Sequence, residues 1–90
     1  MRYLVIIEGG PDSRGIMSYS AFSPDVLGCV ATGRTREEVE RRMHEALQSH
    51  IEWMLEDGDP LPEPHTSPND PRFANDPTLI QTYMDVLIPA

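Results

Sequence analysis

Ninety residues bound the chain to one domain, residues 1–90, with a modest core: a chain this size buries about 60–65% of its unfolded surface. The net charge of −8 argues against direct binding to nucleic acid, where affinity comes from cations on phosphates, and permits a basic protein partner. A single cysteine excludes an internal disulfide. The absence of a leader-like segment or a membrane-length apolar run gives a cytoplasmic expectation.

Arg2–Glu8 reads as a strand that is apolar on both faces, with Tyr3, Val5 and Ile7 on one and Leu4 and Ile6 on the other. Such a strand belongs in the middle of a sheet. Gly9–Gly15 is a turn by composition. Ile16–Ser23 alternates weakly, with Met17, Tyr19 and Ala21 against Ser18, Ser20 and Phe22, and Pro24 ends it. Gly28–Gly33 is a short, small-residue strand suited to an edge.

The helix is the clearest element. Thr35 is an N-cap and Glu38 completes a capping box. Val39, Met43, Ala46, Leu47, His50, Ile51, Trp53 and Met54 fall on one arc, and Gly58 and Pro60 close the helix after Asp57. That gives about 22 residues, or roughly 33 Å. Residues 59–78 hold six of the nine prolines and no periodicity, which predicts extended chain over the surface. Residues 79–89 alternate again and read as a last strand, with Ile80, Thr82, Met84, Val86 and Ile88 on one face.

The order is β-β-β-α-loop-β. Three strands form an antiparallel meander, and a right-handed crossover through the helix returns the last strand parallel to the first. The fold class is therefore α+β: two layers, a mixed four-stranded sheet of order 3-2-1-4 covered by one long helix.

No catalytic constellation stands out. Glu8, Asp12, Asp25 and Asp85 lie near strand ends, but Asp12 and Asp25 sit in turns that favour Asp for local reasons. His44 and His50 are six apart on the helix, and His50 reads as a core histidine. Cys29 reads as a small buried apolar group. The glycine pairs make no phosphate loop, so no cofactor is expected. A metal-dependent nuclease-like enzyme stays open as an alternative, resting on those carboxylates. The candidate partner-binding residues are Tyr19, Phe22, Asp25, Arg34, Trp53, Glu56 and Pro62: aromatics, exposed turn charges, and a proline-rich segment that loses little entropy on binding. A second alternative is an orphan interaction domain that binds another protein through this loop.

The succession YLVIIE, YSAFSPDVLGCVATGRTREEVERRMHEAL and GDPLPEP resembles the HicB-like antitoxin family of the HicA–HicB toxin–antitoxin systems. Pro24, Asp25, Gly28, Cys29, Gly33, Thr35, Glu38, Glu45, Ala46, Pro60, Pro62 and Pro64 stand where the family pattern has them. Leu27 replaces a family proline, Arg34 an acidic residue and Val39 an alanine, and residues 65–78 form a longer loop. The resemblance implies a fold like a reduced ribonuclease H domain without its catalytic carboxylates. It also implies a non-enzymatic function, covering the active site of a small basic RNA-cleaving toxin, and a homodimer or higher oligomer. Many family members add a C-terminal DNA-binding segment; this sequence reaches Ala90 directly after the last strand, so no direct DNA contact is expected of it.

Overall fold

The computed structural model describes residues 1–88. Its elements are β1 (Arg2–Pro11), β2 (Met17–Ser23), β3 (Val26–Gly33), α1 (Arg36–Asp57), α2 (Pro71–Ala74) and β4 (Leu79–Asp85). Pro89, the last residue of the expected final strand, lies outside the described residues.

The first hairpin is longer than its composition suggests. Gly9, Gly10 and Pro11 continue β1 and pair with Tyr19, Ser18 and Met17. Gly9 is needed there because a Cβ would lie 2.6 Å from a ring carbon of Tyr19, which packs across it. The turn is confined to residues 12–16, where Asp12 Oδ1 accepts from the amides of Arg14 and Ile16 at 2.8 and 3.0 Å.

α1 begins and ends where its caps dictate. Thr35 Oγ1 accepts from Glu38 N at 3.1 Å. Gly58 adopts φ 73°, and its amide and that of Asp59 reach back to Leu55 O and Met54 O, the closure that a left-handed residue permits. The buried stripe Val39, Met43, Leu47 and Ile51 packs on Tyr3, Val5 and Ile7 of β1, Ala21 of β2, Val26 and Cys29 of β3, and Met84 of β4. Gly33 lets the helix approach the sheet: a Cβ there would sit 2.8 Å from Val39 N. His50 is half-buried with its ring edge-on to Trp53, so it borders the core and is not enclosed by it.

The sheet order is β3-β2-β1-β4, as the chain order predicts. The direction of β4 is not. It runs antiparallel to β1, with Arg2 opposite Asp85 and Glu8 opposite Leu79, so the sheet is wholly antiparallel and not mixed. The reason is the path of residues 58–78. α1 delivers the chain to the end of the sheet where β1 starts, and there Tyr3 Oη donates to Pro62 O at 2.8 Å. The chain then crosses the face opposite α1 and enters β4 beside Glu8, at the other end. A connection that crosses the sheet twice, once as helix and once as loop, restores the antiparallel sense.

That second crossing also corrects the expectation of a purely extended loop. Asp70 and Pro71 start the short helix α2, whose Phe73 is buried against Leu4, Ile6 and Leu79. β1 is therefore apolar on both faces because both are covered, by α1 on one side and by α2 on the other.

Candidate functional site

Asp25 is the most enclosed of the candidate partner-binding residues. The Pro-Asp turn predicts an exposed carboxylate, but its side chain is 0% exposed. Its Oδ1 accepts from Thr66 Oγ1 at 2.6 Å; its Oδ2 accepts from the amides of Thr66 and His65 at 3.0 and 3.1 Å. His65 Nδ1 stands 3.1 Å from Oδ1. Burial alone would raise the carboxyl pKa, but the Thr66 hydroxyl, the two amides and the imidazole together hold it below the ordinary carboxylate value. Asp25 thus pins the start of the loop to the β2–β3 turn, and it is not available to a partner. No local signal reveals this, because Thr66 lies 41 residues away.

The other candidates do not form one patch. Tyr19 is half-buried over Gly9. Phe22 is on the face opposite α1, edge-to-face with Phe73 at 6.0 Å. Arg34 is exposed at the helix start, beside a shallow cleft of about 350 Å³ that Asp12, Arg14, Glu38 and Arg42 also line. Arg14 is paired with Asp12 and Arg42 with Glu38, both at 3.0 Å. A neighbouring cleft of about 300 Å³ presents Glu8 and the hydroxyls of Ser18, Ser20 and Thr32. Neither has the apolar walls typical of a small-molecule pocket.

Trp53, Glu56 and Pro62 do share a region, the end of the molecule where α1 finishes. Trp53 is 61% exposed. Between Met43 and His65 there is no lysine or arginine, but six of the fifteen carboxylates are there: Glu45, Glu52, Glu56, Asp57, Asp59 and Glu63. The rest of the chain carries nine carboxylates against seven arginines and is nearly balanced. The negative charge is therefore concentrated at one end, around an exposed indole.

The carboxylates considered for metal binding lie apart. Asp25 is engaged by the loop, Asp85 pairs with Arg2 at 3.2 Å, and Asp12 closes its own turn. Among the described residues no three His, Cys, Asp or Glu side chains converge. Cys29 is buried in the helix-side core, and burial pushes its thiol pKa up, away from a nucleophilic thiolate. Among the described residues no helix is long and apolar enough to cross a membrane.

Comparison with known proteins completes the description. Residues 3–85 match the model of a HicB-like antitoxin of bacterial toxin–antitoxin systems. A protein of Haemophilus phage HP1 (strain HP1c1), known as an uncharacterized 14.9 kDa protein of the rep-hol intergenic region, is 40% identical over 63 residues. That match covers 70% of this chain and 44% of the phage protein, so the chain corresponds to less than half of it. The N-terminal domain of the Burkholderia pseudomallei antitoxin HicB superposes with TM-score 0.77 over 98% of this chain and 100% of that one, at 18% identity. A chain of a HicA3–HicB3 toxin–antitoxin complex superposes with TM-score 0.67 at 27% identity, over 98% of this chain and 100% of that chain.

Proposed function

The chain belongs to the HicB-like antitoxin family of bacterial toxin–antitoxin systems, and from that premise we propose that it binds a small basic RNA-cleaving toxin and covers the toxin's active site. The observation that carries the reading is the family match across residues 3–85. The likeness at 27% identity to a chain of a toxin–antitoxin complex supports it. The role is binding without catalysis, exercised in the cytoplasm, where an RNA-cleaving toxin would act.

The acidic end of α1 is the surface best suited to that partner. Its carboxylates steer a basic protein, and Trp53 supplies the large exposed aromatic that interface centres use. Glu56 is one turn from Trp53 on the same helix. The loop, by contrast, is tied down at Pro62, Thr66 and Phe73. This supports a structural role for it over that of a free docking arm. The concentrated negative charge disfavours direct contact with nucleic acid.

The test is titration of the purified chain into an RNA-cleavage assay with a small basic RNA-cleaving toxin, sought in the neighbouring reading frame. Stoichiometric protection of the RNA is expected. Trp53→Ala with Glu56→Gln should weaken protection at least about tenfold while leaving the thermal melt in place, since both side chains are exposed. The absence of a complex and of protection would refute the reading.

A further inference from the structure

The chain that leaves β4 is held along α1. Leu87 N donates to Gln48 Oε1 at 2.9 Å, and Gln48 Nε2 donates to Leu87 O at 2.9 Å. The carboxamide thus pairs with Leu87 as a second peptide group would. One helical turn earlier, His44 Nε2 donates to Asp85 O at 2.7 Å. On the other side, Val86 N donates to Met1 O at 2.7 Å and the terminal amine donates to Val86 O at 3.0 Å. The spacings agree. His44 to Gln48 rises about 6 Å along the helix, and Asp85 to Leu87 spans about 7 Å of extended chain. The segment therefore runs with α1, toward its acidic end.

Glu52 sets the direction of the Gln48 carboxamide. A carboxylate only accepts, and Glu52 Oε1 accepts from Gln48 Nε2 at 3.0 Å. The second N–H of Gln48 is then left for Leu87 O, and Oε1 is turned to Leu87 N. Side chains of an extended segment alternate in direction. Val86 is buried in the core, so Leu87 points outward and is 75% exposed. Ile88 and Leu55 are exposed as well. Leu55 follows Gln48 by seven residues and Glu52 by three, on the same flank of the helix.

We propose that Leu87, with Leu55 and Ile88, is a second apolar anchor for the basic toxin, and that Gln48 is the positioning residue that holds it there. The inference rests on the toxin reading and adds a place of contact to it. Charge identifies the partner. Glu45, Glu52 and Glu56 are exposed and make no ion pair among the described residues. No lysine or arginine lies between Met43 and His65, and Arg2, near the start of the segment, is engaged by Asp85. At about 100° per residue, Trp53 and Leu55 fall on opposite flanks of α1 with these three carboxylates between them. A basic partner seated on that ridge meets an apolar anchor on each side. Holding Leu87 in place before contact lowers the ordering cost of binding.

The test is calorimetric titration of the purified chain with the small basic toxin sought in the neighbouring reading frame, with hydrogen exchange at the Leu87 amide as a second measurement. Leu87→Ala should weaken binding at least about tenfold and leave the thermal melt in place, since the side chain is exposed. Gln48→Glu separates positioning from charge. It adds a carboxylate, so charge alone makes a basic partner bind more tightly. At neutral pH it cannot donate to Leu87 O and it repels Glu52. The Leu87 amide should then exchange about tenfold faster, and toxin binding should weaken about fivefold. Binding untouched by Leu87→Ala, or tightened by Gln48→Glu, would overturn the proposal and leave the toxin reading standing. A wild-type chain that forms no complex with the toxin would overturn both.

Discussion

Replacing Asp25 with alanine tests whether its carboxylate holds the loop in place. The substitution strands the Thr66 hydroxyl and amide, which lie in a buried site and donate at 2.6 and 3.0 Å. Each orphaned buried donor costs about 1–3 kcal/mol. The two His65 donors belong to an exposed residue and rehydrate cheaply. The expected loss is therefore about 3 kcal/mol, a large part of the total for a domain whose stability is about 0.05–0.15 kcal/mol per residue. Asp25→Asn keeps an acceptor but loses the charge, and should cost about 1–2 kcal/mol. Urea unfolding followed by far-ultraviolet circular dichroism gives both values. The pH dependence supplies an independent check. The folded pKa of Asp25 lies below its unfolded value, so its contribution is complete above the ordinary carboxylate pKa of about 3.9 and disappears as pH falls through the depressed folded value. The gap between wild type and Asp25→Asn should narrow in that acid window. A loss below about 1 kcal/mol for Asp25→Ala, or strict additivity with Thr66→Val, would refute the coupling.

Three further substitutions probe the rest of the fold and its surface. Phe73→Ala should destabilise by about 3 kcal/mol by uncovering Leu4 and Ile6, as the same denaturant curve would report. Gly33→Ala should cost about 1–3 kcal/mol, because its Cβ would press on the backbone of Val39 and lift α1 from β3; the thermal midpoint would fall accordingly. Trp53→Ala should change stability by no more than about 0.5 kcal/mol, since the indole is 61% exposed, and its effect should appear in toxin titration by calorimetry.

Much of the fold was legible because its signals are local. Thr35 and Glu38 at one end and Gly58 at the other fix α1 to within a residue, since each satisfies backbone groups that the helix itself leaves unpaired. The apolar alternation of residues 3–7 and 80–86 places the right side chains under the helix. The short helix α2 also had a sequence signal, an Asp-Pro start followed by an isolated aromatic, masked by the prolines around it. Of the candidate site, exposed aromatics and helix carboxylates could be named from the chain, but not their grouping. Trp53 and Glu56 share an end with Pro62 only because α1 and the loop after it meet there.

Composition and periodicity by themselves determined which segments become the four strands and the long helix, the neighbour order of the strands, and the acidic character that suits a basic partner. Only the tertiary structure decided the direction of β4 and the burial of Asp25. The physical reason is the same for both. Each depends on where residues 58–78 pass, and that path is set by contacts between residues far apart in the chain: Tyr3 with Pro62, Asp25 with Thr66, and Leu4 and Ile6 with Phe73. Periodicity reports which face of an element is buried, but it says nothing about which distant segment does the burying.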